Sequence, residues 1–143
     1  MFKLVNYEIR ILYGLGWALD LDKTIIHIAE YLKPGGRLVF AWYNPLLQCI
    51  DAQNGQYVLS RSYVNEQDVL VDESFRRHNW KLSAYLNCLA NHGFLIEQVV
   101  EESEYDEKEA DVFQEGRFYS AGKARLLNPS IIVKAWRSWS GHL

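Results

Sequence analysis

The sequence predicts an α/β protein built on a β-α-β unit, and three observations carry that prediction. From Asp20 onward, Leu21, Ile25, Ile28, Ala29 and Leu32 recur at i, i+4, i+7, i+8 and i+11, which lines one face of a helix. Lys33-Pro34-Gly35-Gly36 then breaks the pattern, because proline cannot continue a helix and the glycines suit its exit turn. Directly afterwards Leu38-Val39-Phe40-Ala41-Trp42 is apolar at every position, as in a parallel strand buried beneath helices on both faces. With Ile9 to Tyr13 as the preceding strand, this gives a right-handed crossover unit and a three-layer architecture.

The elements follow in order. Asp20 is placed to cap the first helix, its carboxylate accepting from free amide protons of the first turn. The second strand runs from Arg37 to Tyr43. Gln56 to Val64 and Gln67 to Asp72 are β-rich and flank Asn65-Glu66, which predicts one antiparallel hairpin, an insertion over 55–74. A helix over 83–92 presents Leu82, Tyr85, Leu86, Leu89 and Ala90, with Gly93 after it. Phe94 to Val100 reads as a strand, the acidic stretch 101–111 as a solvated loop, 120–127 as a short helix and 131–136 as a last strand. The tail from Ser138 is expected to fray.

Composition narrows the function classes. A chain of 143 residues suits one domain spanning 1–143, and at that size it buries roughly two thirds of its unfolded surface. The net charge is −3 and Lys and Arg are scattered, so there is no electrostatic footprint for nucleic acid or an anionic membrane. No apolar run approaches the ~20 residues that span a bilayer, and no signal-peptide core is seen. Cys49 and Cys88 stand far apart and read as reduced thiols of a cytoplasmic protein. Neither has metal-ligand spacing around it, so no metal site is expected.

Tyr13-Gly14-Leu15-Gly16-Trp17 follows the first strand and invites comparison with nucleotide loops. The dinucleotide fingerprint fails at Leu19, where a third small residue is needed, and the single Gly-Lys pair continues into Ala124, so no P-loop exists. In open α/β sheets, ligands bind at the carboxyl ends of the strands. Both this loop and Trp42-Tyr43-Asn44-Pro45 lie there.

The order strand, small-residue loop with Trp17, Asp20-Leu21-Asp22, amphipathic helix and Leu32-Lys-Pro-Gly-Gly-Arg-Leu-Val-Phe40 resembles the second half of a class I S-adenosylmethionine-dependent methyltransferase. LKPGGRLVF is similar to that family's turn into its fifth strand. Residues 82–102 resemble its last helix and sixth strand, and 128–137 its seventh strand, antiparallel beside the sixth. The likeness runs from about Tyr7 to Arg137; Tyr7-Glu8-Ile9 stands where the family opens its fourth strand, Arg10 departs from a buried strand, and Met1 to Asn6 match nothing. The family's glycine-rich cofactor loop and ribose-binding acidic residue lie before that point. The resemblance therefore implies a partial Rossmann-like sheet, β4-α-β5-hairpin-α-β6-β7, without its N-terminal cofactor-binding half.

Under the resemblance, Gly14, Leu15, Gly16 and Trp17 lie against the methionine end of S-adenosylmethionine. Glycine permits close backbone approach, and an aromatic face stabilises a sulfonium charge; alternatively Trp17 packs as a lid on the next helix. Tyr43 and Asn44 are candidate contacts to a small-molecule methyl acceptor, or ordinary strand-end residues. Arg61 and Tyr63 lie where the family inserts its substrate cover, or are plain hairpin faces. No catalytic base is assigned: His92 reads as a helix C-terminal cap, His78 as part of a surface basic cluster, and His27 as solvated. Alone, the chain is expected to bind cofactor weakly. The alternative is a non-catalytic α/β module whose exposed sheet edge recruits a second copy or a missing N-terminal half.

Overall fold

A computed structural model describes residues 6–139; Met1 to Val5 and 140–143 lie outside the described residues. The chain forms β1 (Asn6–Leu12), α1 (Leu21–Tyr31), β2 (Leu32–Tyr43), β3 (Ile50–Gln53), β4 (Gln56–Leu59), β5 (Asp68–Leu70), β6 (Arg76–His78), α2 (Leu82–Asn91), β7 (Phe94–Val100), α3 (Glu107–Ala110), α4 (Ala121–Leu126) and β8 (Ser130–Arg137). The main sheet is four-stranded, in the order β1-β2-β8-β7. β1 and β2 are parallel, and β8 runs antiparallel between β2 and β7.

α1 forms as its spacing predicts. Asp20 caps it, Oδ1 accepting from the Lys23 amide at 3.0 Å. Leu21, Ile25 and Ile28 bury their side chains against Leu38, Phe40 and Trp42 of β2 and Ile131, Val133 and Ala135 of β8. α2 joins the same core through Tyr85, Cys88 and Leu89. Ala90, expected on that face, is exposed. The turn Lys33–Gly36 is a bulge in β2: Asn6 pairs with Leu32 but Glu8 with Arg37, and regular pairing starts at that second pair.

Three expectations about the arrangement of elements need correction. The single hairpin over 55–74 does not form; β3 pairs with β4 and β5 with β6, making two hairpins. The first turns at Asn54-Gly55, with φ of 52° and 72°, both left-handed as the tightest hairpin turns require and as Asn-Gly supplies. The three-layer architecture becomes two layers among the described residues. α1 and α2 pack on one face of the sheet, while Glu8, Arg10, Leu12, Arg37, Val39, Ala41, Ile132 and Lys134 line the other. Arg10 is thus no anomaly: it lies on the open face and pairs with Glu8. The acidic stretch, finally, contains α3, a single turn capped by the Asp106 carboxylate and packed on α4.

α3 and α4 brace the β3–β4 hairpin. Ala52, Ala110, Ala121 and Ala124 are buried there, Tyr57 stacks on Phe113 at 5.4 Å, and Ser103 Oγ donates to the Ala124 carbonyl at 2.6 Å. Lys123, which the sequence offers only as a failed P-loop residue, is buried to 2% exposure. Its ammonium donates to the carbonyls of Ile50, Arg117 and Phe118 at 2.9, 2.7 and 3.1 Å. Three acceptors satisfy its three protons, which is how a lysine is tolerated in such a place. At the far end Ser138, expected to fray, is buried and donates its amide to Gly93.

Candidate functional site

The site sits where β1 and β2 end. Tyr13 leaves β1 with φ of 55°, a left-handed conformation uncommon for a bulky side chain and of the kind that concentrates at binding sites. Two contacts hold it: its amide donates to the Ala41 carbonyl at 2.8 Å, and its hydroxyl meets Ser130 Oγ at 2.9 Å. That conformation swings its ring onto Tyr43, with centroids 4.9 Å apart. Tyr43 also meets Trp42 at 5.2 Å and Phe118 at 5.0 Å, both edge-on. Four aromatic rings thus converge at the strand ends, arranged as aromatic quadrupoles prefer.

The glycine loop is built against this cluster. Leu15 drops into the core at 2% exposure and Gly16 is buried beside it. A Cβ on Gly16 would lie 1.9 Å from the Trp42 ring, so the glycine is required by close approach. Trp17 stays 44% exposed and meets Phe75 edge-on at 6.4 Å. The loop is tied to the second hairpin region by Trp80, whose indole N–H donates to the Ala18 carbonyl at 2.8 Å. Gly14, Leu15, Gly16, Trp17 and Tyr43 are therefore assembled at one edge, and of these Trp17 offers the open aromatic face.

The other expected contacts are engaged within the protein. Asn44 is buried; its Nδ2 donates to Asn128 at 2.9 and 3.1 Å, and its Oδ1 accepts from Leu46 at 3.0 Å. It stitches the end of β2 to the start of β8. Tyr63 accepts the Leu82 amide at 3.1 Å, capping α2. Arg61 donates to the Gln48 carbonyl through Nε and Nη2, and to Asp51 at 3.3 Å. His78 is no surface group: its ring lies 4.0 Å from Trp80 with Nδ1 2.6 Å from Asp68. His27 is exposed, as expected.

Sequence reasoning missed Arg77, Gln48, Asn79 and Tyr85. Among the described residues, Gln48 Nε2 and Oε1, Arg77 Nε, Asn79 Oδ1, Tyr85 Oη and Ser138 Oγ are buried without a hydrogen-bond partner, although such atoms normally find one. Burial pulls the Arg77 guanidinium below its usual range; Tyr43 and Tyr85 pull the other way and Arg61 adds to the lowering. It nevertheless stays charged, as arginine does. Burial likewise pushes the Tyr85 phenol above its ordinary value, against the opposing charge of Arg77. No local signal marks Arg77: β6 is three residues long, with Arg76 exposed and both Arg77 and His78 half-buried.

The chain is similar over 96% of its length to a solved S-adenosylmethionine-dependent methyltransferase from Mesorhizobium loti, with a TM-score of 0.73 and 19% identity. The fold is that of S-adenosylmethionine-dependent methyltransferases. A second such structure, from Listeria monocytogenes, matches 96% of the chain with a TM-score of 0.72 and 14% identity. The glycopeptide N-methyltransferase MtfA, solved with S-adenosylmethionine, matches 94% with a TM-score of 0.50 and 13% identity. The chain spans 64% and 63% of the first two structures' lengths, and 55% of the third. No protein-family profile matches the chain, and no curated protein matches it by sequence. β8 lies antiparallel beside β7, as the sequence resemblance implied, and pairs on its other side with β2. No helix among the described residues is long and apolar enough to cross a membrane.

Proposed function

We propose that this chain is the C-terminal, acceptor-side portion of an S-adenosylmethionine-dependent methyltransferase that acts on a small molecule. The supporting observation is the convergence at the strand ends: Gly16 packed beneath Trp42, Trp17 open to the edge, and Tyr43 among the rings of Tyr13, Trp42 and Phe118. S-adenosylmethionine supplies an electrophilic methyl group on a sulfonium. The chain's own contribution is orientation, exclusion of water and charge complementarity. Trp17 presents a ring to a positive centre, and the buried Leu15 and Gly16 hold the loop that carries it. Arg77 favours an acceptor bearing a carboxylate or phosphate, with the Tyr43 ring beneath its apolar part. The second hairpin, 68–78, lies against the loop, Phe75 meeting Trp17 edge-on.

These residues fit only the methionine end of the cofactor. The open face of the sheet, with Leu12 and Ile132 exposed, supports the reading that further chain completes the enzyme and supplies the remaining grip. Buried, unpaired Cys49 and Cys88 suit a reducing, cytoplasmic setting. Calorimetric titration with S-adenosylhomocysteine tests the proposal. This chain alone is expected to give little or no saturable heat, and the chain rejoined to its upstream segment should bind at micromolar concentration. Micromolar binding by the chain alone would overturn the division of labour. A second reading, a non-catalytic module that pairs through the open face or the outer edge of β1, rests on the same exposed apolar surface. Sedimentation of a strict monomer would remove it.

A further inference from the structure

We propose that Asp22, Cys88 and His92 form a three-ligand site for a zinc-type divalent cation that clamps α1 to α2. Cys88 lies on α2 and His92 four residues on, at its C-cap, while Asp22 lies in the first turn of α1. Asp22 Oδ1 is 2.7 Å from His92 Nε2 and 3.5 Å from Cys88 Sγ, and the three donor atoms all lie within 4.8 Å of one another. Bonds of about 2.0–2.3 Å in a tetrahedral shell place donors roughly 3.3–3.8 Å apart. The sulfur–carboxylate spacing already meets that, and the imidazole–carboxylate spacing has to open by well under an ångström. Asp22 is free to move, its side chain being 72% exposed.

The chemistry separates this arrangement from a nucleophile triad. A triad places the imidazole between acid and thiol; here the Asp22 oxygen is the common neighbour of both. Cys88 is a buried thiol, at 6% exposure. A bound divalent ion supplies the positive charge that ionises it, and the thiol proton leaves to solvent as the metal–sulfur bond forms. Sulfur, nitrogen and oxygen donors together suit zinc rather than magnesium or calcium. The C-terminal end of α2 adds the favourable end of its dipole. A shallow surface cavity lined by Leu21, Trp80, Asn87 and Asn91 adjoins the ligands and leaves room for a fourth, exchangeable one.

The test uses the full chain after chelation, titrated with Zn2+ and separately with Co2+. One equivalent is expected to bind, the Co2+ form showing thiolate charge-transfer absorption and tetrahedral d–d bands, and the Zn2+ form melting higher than the apo form. Each of C88S and H92A should weaken Zn2+ binding by roughly tenfold or more, and C88S should abolish the charge-transfer band. Should a variant fail to fold, the parent chain decides the matter: its Co2+ form should show thiolate charge-transfer absorption, and one equivalent of Zn2+ should abolish it. No saturable uptake, no thiolate charge-transfer band in the Co2+ form, or uptake unaffected by C88S and H92A would overturn the proposal.

Discussion

Replacing Gly16 with alanine tests the construction of the loop more sharply than any other single change. The added carbon would lie 1.9 Å from the Trp42 ring, with two more ring carbons at 2.0 and 2.6 Å. Carbon atoms pack at about 3.5–4.0 Å, so the ring and the loop must separate by roughly 1.5–2 Å. Trp42 is 2% exposed and held in register with Ile131, which leaves it little room. Overpacking costs about 1–3 kcal/mol, and the tight box argues for the upper part, about 2–3 kcal/mol. For a chain near ~150 residues each kcal/mol moves the melting temperature by about 2–4 °C, so Gly16→Ala should melt about 5–10 °C lower. The atoms involved belong to the six-membered ring of the indole, so in a Trp42→Phe background the same change should cost less than about half as much, a coupling a double-mutant cycle detects. Scanning calorimetry of the four proteins gives the answer. An unchanged melting temperature for Gly16→Ala, or strict additivity with Trp42→Phe, would refute the close-approach account.

Three further outcomes follow from the same structure. Lys123→Met strands three carbonyls that the ammonium now satisfies, and should cost about 3 kcal/mol in urea unfolding; a loss well under 1 kcal/mol, on the order of a surface change, would show that water replaces the ammonium there. Tyr85→Phe removes a buried hydroxyl that has no partner among the described residues, and should leave thermal stability unchanged or raise it by up to about 1 kcal/mol, whereas clear destabilisation would reveal a hydrogen bond the structure does not contain. Asp51 is held below its ordinary 3.8, first by the Ser60 hydroxyl and then by Arg61. Its contribution is therefore present above 3.8 and lost as pH falls through the lower folded value. Asp51→Asn should melt lower than the parent at neutral pH and converge with it in strong acid; a gap that persists in acid would contradict the assignment.

Legibility in the sequence followed the length of the signal. α1 was readable because periodic residues fill every turn, and β7 because a β-rich run directly follows a helix-ending glycine; Asp20 and Gly93 mark their boundaries. β3 to β6 are three or four residues long, too short for alternation to stand out, and the apolar run Tyr57-Val58-Leu59 drew the expected strand past its true end. The Asn54-Gly55 pair was the available signal for the actual turn. The two-layer sheet was also written in β1, where Ile9 and Ile11 alternate with Glu8, Arg10 and Leu12, but the continuous apolar run of β2 argued for burial on both faces. Small Val39 and Ala41 are what the open face carries there. At the site, the loop was locatable from sequence, while the inward turn of Arg77 and the meeting of Asp22 with Cys88 and His92, 66 and 70 residues away, depend on tertiary packing that no local pattern encodes.

The central claim is that this chain is one portion of a methyltransferase whose cofactor grip resides in additional sequence. Reading the genomic DNA upstream of the codon for Met1 in all frames tests it most directly. The account predicts a coding stretch with a short apolar strand followed by Glu or Asp and a Gly-x-Gly-x-Gly loop. The absence of any such stretch would contradict it, and would make the open face of the sheet the place to look for this protein's activity.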